Sequence, residues 1–333
     1  MAKPKAYVTR QLFEEAIEVL ERHAEVEVFE GVDEAIPRDL FLSKVAGVEG
    51  LLPLLMETID VEVMDAGRDL RVISNYAVGY NNIDVGAATE RGIYVTNTPG
   101  ILTDTTADCA FALLMASARR IPEADRHVRA RKWVHAWGPS MFIGSDVHGK
   151  TLGIVGLGRI GTAVARRAKG FDMRVIYHDV FRREELEGTL GITYKPLDEV
   201  IAESDFLSLH VPLTKETHHM IGGEQLSSMK ETAFLINTSR GPVVDEGALY
   251  EALRDGVIAG VGLDVFEEEP IDPGSPLLGL DNVVLTPHIA SASVETRTRM
   301  AVTAATNLVS VLQGKEPPNL VNPEVRDIRS LKG

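Results

Sequence analysis

At 333 residues, with 44% hydrophobic and 25% charged side chains, the chain exceeds what one hydrophobic core usually supports and is expected to fold as two globular domains. Forty-nine acidic against 34 basic residues give a formal net charge of -15, a field that repels phosphate backbones and anionic lipid and argues against nucleic-acid and membrane partners. A lone cysteine, Cys109, excludes an internal disulfide, and Lys3-Pro4-Lys5 leads into a strand-like segment without the apolar stretch of a signal peptide, so a cytoplasmic location is expected.

The first hundred residues alternate short apolar runs with helical patterns. Strands are predicted at 6–9, 26–29, 50–54, 71–75 and 93–97, with helices at 11–22, carrying Leu12, Ile17 and Leu20, and at 84–91, closed by Gly92. The turn Thr98-Pro99-Gly100 precedes a long helix over 107–119 and marks a domain crossover near residue 99. A second series follows, with strands predicted at 151–155, 174–177, 206–210, 233–237, 259–263 and 283–286. Repeated βα units imply parallel sheets. The helix predicted over 295–313 bears Met300, Ala304, Leu308 and Leu312 on one stripe and is expected to return to the first domain. The tail from Pro317 onward reads as irregular surface.

Gly156-Leu157-Gly158-Arg159-Ile160-Gly161 follows the apolar run Leu152 to Val155 and opens a helix with Ile160, Val164 and Ala168 on one face. In that setting the first glycine makes a tight turn, the second lets a pyrophosphate approach the backbone, and the third lets helix pack on strand; the helix N-terminus adds amides and positive dipole. Asp179 stands eighteen residues after Gly161 at the end of the next strand, where a carboxylate accepts from ribose hydroxyls and repels a 2′-phosphate. NAD (NADH) is therefore the expected cofactor. Arg182 and Arg183 are near enough to keep NADP open.

Three polar residues come just after three separate predicted strands: Arg240 after Ile236-Asn237-Thr238-Ser239, Glu269 after Asp264-Val265-Phe266, and His288 after Leu285-Thr286-Pro287. In a parallel sheet these are all carboxyl ends, where open α/β sheets bind ligands. Hydride transfer at a carbonyl carbon requires a proton at the oxygen, and histidine titrates near neutrality. His288 takes that role. A carboxylate, Glu269, would orient its ring and favour the charged form, and Arg240 offers a planar fork for a substrate carboxylate or carbonyl oxygen, with Gly241 allowing close approach. His218-His219 has no acidic or cysteine partner at ligand spacing and reads as loop, so no metal is expected.

Together with Leu209-His210-Val211-Pro212-Leu213-Thr214, Ile236-Asn237-Thr238-Ser239-Arg240-Gly241 and Gly262-Leu263-Asp264-Val265-Phe266, these motifs resemble the D-isomer-specific 2-hydroxyacid dehydrogenase family over essentially the whole chain. Asn75-Tyr76-Ala77-Val78-Gly79-Tyr80-Asn81-Asn82-Ile83-Asp84, Val95-Thr96-Asn97-Thr98-Pro99-Gly100 and Leu102-Thr103-Asp104-Thr105-Thr106-Ala107-Asp108 are most similar to its glyoxylate/hydroxypyruvate reductase branch. The resemblance implies an α/β fold of two doubly wound parallel-sheet domains. A Rossmann NAD(P)-binding domain (100–289) is inserted into a flavodoxin-like substrate-binding domain (1–99 plus 290–333).

The resemblance implies catalysis by Arg240, Glu269 and His288, and substrate contacts from Leu54, Val78, Gly79, Arg240 and His288. The implied cofactor set is Thr106, Gly156, Gly158, Arg159, Ile160, Gly161, Asp179, Val211, Pro212, Thr238, Asp264 and Ala290. Ala290 stands where the family more often has glycine, adding a methyl group beside the nicotinamide amide. The implied substrate is a small 2-ketoacid or 2-hydroxyacid: glyoxylate to glycolate, and hydroxypyruvate to D-glycerate. A homodimer is implied, exchanging the helix from Thr103 and the loop from Trp133 to Gly144. Other readings are a D-lactate or D-3-phosphoglycerate type of dehydrogenase, and a non-catalytic dinucleotide-sensing, corepressor-like protein.

Overall fold

The computed structural model describes residues 2–31 and 34–331. They form two compact units, Met1–Leu102 with Ala292–Gly333, and Thr103–Ser291. Among the described residues no helix is long and apolar enough to cross a membrane.

In the first unit, β1 (Lys5–Val8), β2 (Glu25–Val28), β3 (Gly50–Leu52), β4 (Val72–Ser74) and β5 (Tyr94–Thr96) make an all-parallel sheet in the order β2-β1-β3-β4-β5. This is the flavodoxin-like order. Every residue of β3, β4 and β5 is buried, as strands covered on both faces must be, while edge strand β2 turns Glu25 and Glu27 outward. The helix Val294–Leu312 supplies one cover: Met300, Ala304, Leu308 and Leu312 are buried with Ala6, Val8, Leu20 and Leu52. Gly50 allows its approach, since a Cβ there would come within 3.0 Å of the Leu308 side chain.

The tail departs from its reading as irregular surface. Leu320 bridges Thr96 on edge strand β5, and Asn322, buried, accepts from the Val95 amide (2.8 Å) and donates to the carbonyl of Ile93 (2.9 Å). One amide side chain thus satisfies backbone groups that an edge strand leaves unpaired. Composition carries no signal of such a stitch.

The second unit contains β6 (Thr151–Val155), β7 (Arg174–His178), β8 (Thr193–Tyr194), β9 (Phe206–Leu209), β10 (Phe234–Asn237), β11 (Gly260–Leu263) and β12 (Val283–Leu285). Their order is β12-β11-β10-β9-β6-β7-β8, the doubly wound dinucleotide-binding topology extended by one strand. Six strands are legible in the sequence, whereas β8, two residues long, is too short to show alternation and is defined by its pairing with Ile176 and Tyr177.

The helix Thr103–Ala118 begins four residues earlier than its hydrophobic pattern. Its Ala107, Ala110, Leu113 and Leu114 enter the core of this same unit, and Gly262 of β11 leaves room for Leu113. The helix is therefore a core element of its own chain. The division between units falls at 102/103 and 291/292, beside expected junctions at 99/100 and 289/290; the first lies later because Ile101 and Leu102 pack against the first unit's core.

Candidate active site

The loops at the carboxyl ends of the second sheet carry nearly all the expected site residues. Asp179 follows β7, Gly156 β6, Val211 and Pro212 β9, Thr238 and Arg240 β10, Asp264 and Glu269 β11, and His288 and Ala290 β12. Read in sheet order they form a row from β7 to β12, roughly 24 Å long at about 4.8 Å per strand. The chain reverses direction of winding between β6 and β9, so the fingerprint glycines lie at the switch point, where ligands of such sheets bind.

At that point each glycine has a separate reason. Gly156 has φ +92°, and a Cβ would lie 2.8 Å from the His210 backbone; a Cβ on Gly161 would lie 2.1 Å from the Gly156 carbonyl oxygen. These two are required by the protein itself. Gly158, with φ -72°, is free of both constraints: a Cβ there would meet no protein atom within 4 Å. It N-caps the helix Arg159–Ala168 with no side-chain cap, so the first-turn amides are offered to an anion. Thr238 adds a buried hydroxyl that has no hydrogen-bond partner among the described residues. An open glycine face, a helix N-terminus and an orphaned hydroxyl along one sheet edge fit a dinucleotide phosphate.

Asp179 has duties within the protein. One carboxylate oxygen accepts from the Leu157 amide (2.6 Å) and the other from the Phe181 amide (3.2 Å), leaving further lone pairs on each. Both nearby arginines are held by acids, Arg182 in a fork to Glu187 and Arg183 to Glu185. A 2′-phosphate must therefore compete for them.

At the other end of the row, His288 Nδ1 lies 2.7 Å from Glu269 Oε2, and Glu269 Oε1 accepts from the Phe266 amide (3.1 Å). An ionised carboxylate only accepts, so Nδ1 carries the proton and Nε2 is left for chemistry. Burial pushes the Glu269 carboxyl up, but its hydrogen bond to His288 and the charges of His288 and Arg240 outweigh that and hold it below the usual carboxylate range. Arg240, largely buried, has its pKa drawn down by burial against the opposing attraction of Glu269. Its Nη1 donates to the Ser239 carbonyl (2.7 Å), and Asn237 clamps the loop by donating to the Arg240 carbonyl (2.9 Å). Gly241 corrects the expectation placed on it: a Cβ would lie 1.8 Å from the Phe266 carbonyl, so the close approach it permits is to the loop bearing Glu269.

Two features lay outside sequence reasoning. His288 has φ +52°, a conformation that non-glycine residues seldom adopt. Asp264, fully buried, holds it there: its carboxylate accepts from Thr286 Oγ1 (2.6 Å), Ile289 N (2.8 Å) and Ala290 N (2.7 Å), while its carbonyl accepts from His288 N (2.9 Å). Asp264 belongs to the implied cofactor set, and its carboxylate is engaged by the turn that carries His288. The second is His219, whose Nε2 meets Glu267 Oε1 at 2.7 Å, an acidic partner that local spacing did not reveal. The half-buried Cys109 has its thiol pushed up to about 11 by burial and by Asp264. Thr106 is buried in the helix Thr103–Ala118.

In the first unit, Leu54 follows β3, and Val78 and Gly79 follow β4. Their loop is pinned by Asn97, which donates to the Val78 carbonyl (2.7 Å), and Asn75, which donates to that of Gly79 (2.8 Å). Beneath Leu54, Glu57 accepts from the Leu54 amide (2.7 Å) and Thr9 Oγ1 (2.9 Å).

Comparison with known proteins gives concordant results. The family described as D-isomer specific 2-hydroxyacid dehydrogenase, NAD binding domain, matches residues 111–290. A glyoxylate reductase of Korarchaeum cryptofilum is 59% identical over 328 residues, 98% of each chain. A solved protein of Thermus thermophilus superposes with a TM-score of 0.90 at 48% identity, over 95% of this chain and 99% of that one. An NADPH-dependent glyoxylate/hydroxypyruvate reductase of Sinorhizobium meliloti, solved with NADP and malonate, gives 0.84 at 37% identity over 97% and 98%.

Proposed function

Since the chain belongs to the D-isomer specific 2-hydroxyacid dehydrogenase family, we propose that it reduces glyoxylate to glycolate, and hydroxypyruvate to D-glycerate, with NADH. The observation that carries this reading is the Glu269–His288 pair on the same sheet edge as the Gly156 to Gly161 fingerprint. The nicotinamide, when bound, supplies the hydride that C2 of the ketoacid receives.

The chain's own residues do the rest. Gly158 and the amides of Arg159, Ile160 and Gly161 receive the pyrophosphate, Asp179 the ribose, and Thr106, Val211, Pro212, Thr238 and Ala290 complete the cofactor's surroundings. His288 Nε2 gives a proton to the carbonyl oxygen as it becomes a hydroxyl, and Glu269 stabilises the charged imidazole before transfer and fixes the ring. Arg240 polarises the carbonyl and holds the substrate carboxylate. Asp264 acts through the turn. Leu54, Val78 and Gly79 are assigned to the substrate on family resemblance.

Asp179, with Arg182 and Arg183 tied to glutamates, favours NADH, although the Sinorhizobium relative uses NADPH. Homodimerisation is supported by the apolar surface of the 131–144 loop, where Trp133, Trp137 and Ile143 are more than half exposed. A spectrophotometric assay tests the reading: purified protein should oxidise NADH with glyoxylate and with hydroxypyruvate, and inactivity with both, using either NADH or NADPH, would overturn it. Comparing kcat/KM as the ketoacid side chain lengthens separates this reading from a lactate-type enzyme.

A further inference from the structure

We propose that the first unit binds a small, multiply charged phosphate compound in a basin at the amino-terminal ends of its strands, opposite the strand ends that carry Leu54, Val78 and Gly79. The basin has a volume of about 670 Å³ and is lined by Lys3, Lys5, Arg68, Arg71 and Arg329 against two acids, Glu49 and Asp69. This is an excess of positive charge in a chain of net charge -15.

Little of that charge is neutralised. Arg71 pairs with Glu49 (3.4 Å) and also donates to the carbonyls of Val311 (3.2 Å) and Leu312 (3.3 Å). Arg329 donates to the Leu70 carbonyl (3.0 Å) and Lys3 to the Glu21 carbonyl (2.7 Å); carbonyls orient these cations without cancelling their charge. The exposed side chains of Lys5 and Arg68 have no acid within ion-pair distance among the described residues. Clustered cations repel one another, and an anion seated among them removes that cost. Guanidinium forks beside ammonium groups match the oxygens of a phosphate.

The basin opens where strands begin: Lys5 starts β1, Glu49 precedes β3, Arg71 precedes β4, and Tyr94 starts β5. Strands of three or four residues put it roughly 10–13 Å from the opposite edge, where Leu54 and Val78 lie. A ligand here is thus separate from any at that edge, and the assignment does not rest on the proposed reduction.

Pyrophosphate is the probe, titrated calorimetrically at ionic strength fixed with sodium chloride. Saturating NADH is present so that the Gly156 to Gly161 loop is filled. The expected result is saturable binding of one pyrophosphate per chain, weakened about tenfold or more in the Lys5→Ala/Arg68→Ala variant and further in Arg68→Glu. Both variants should keep the wild-type melting temperature and turnover, since the altered side chains are exposed and belong neither to the core nor to the residues assigned to cofactor and substrate. Absence of saturable binding above matched salt, or unchanged affinity in the double variant, would overturn the site. Citrate bound as tightly as pyrophosphate would overturn the assignment to phosphate.

Discussion

Replacing Asp264 by Asn tests whether the buried carboxylate braces His288. Its Oδ1 accepts from Thr286 Oγ1 and Ile289 N, and its Oδ2 from Ala290 N, at 2.6–2.8 Å. Asparagine keeps the shape but has one carbonyl oxygen, so its NH2 must face a donor. The best arrangement retains the Oδ1 bonds and leaves the Ala290 amide opposed by an N–H. Losing a charge-assisted bond and stranding a buried donor costs about 2–4 kcal/mol, which relief of the buried charge reduces to about 2 kcal/mol. In a unit of 150–250 residues each kcal/mol moves Tm by about 2–4 °C, so melting should fall by about 4–8 °C. The left-handed backbone of His288 stores about 1–3 kcal/mol, comparable with the loss. The turn should therefore relax, lowering kcat about tenfold at saturating NADH and glyoxylate. Wild-type Tm and kcat would refute the brace. A raised KM for NADH at unchanged Tm would instead make the carboxylate a cofactor contact.

Gly158→Ala should leave the apo protein's Tm within about 1 °C, because the added Cβ meets no protein atom and the backbone suits alanine, yet weaken NADH binding more than about tenfold by fluorescence titration. Asp179→Ser should lower kcat/KM for NADH and raise it for NADPH, narrowing the ratio by about tenfold or more in paired assays. Glu269 is held below the usual carboxylate range, so its pairing with His288 contributes stability that is present above the unfolded carboxyl value and is lost as pH falls through the lower folded value. Urea unfolding followed from neutral to acid pH should show the wild type losing stability over that window and Glu269→Gln losing less.

Much of the site was legible because parallel topology turns sequence into position. Once 236–239, 264–266 and 285–287 read as strand ends, Arg240, Glu269 and His288 had to share an edge, and strand order made that edge one row with Gly156. The strands themselves announced their burial, β9 being apolar or small throughout and β10 apolar up to its last residue, Asn237. What stayed hidden depends on contacts between distant residues. Asp264 reads like any aspartate after a strand until Ile289 and Ala290 fold over it; Asn322 looks like tail until it meets β5. Gly241 is needed for a neighbour 25 residues away, the Phe266 carbonyl, which no local pattern announces. His219 found its acid across 48 residues, beyond any local spacing rule.

The central claim is that His288 Nε2 supplies the proton at C2's oxygen while Glu269 holds Nδ1. The most direct measurement is kcat of His288→Ala with glyoxylate at saturating NADH, alongside NADH affinity by fluorescence. Removal of a general acid costs about 10²–10⁴ in rate, so kcat should fall by that factor with NADH affinity unchanged. A variant turning over within about threefold of wild type would contradict the account, since a loss below about tenfold is too small for a general acid.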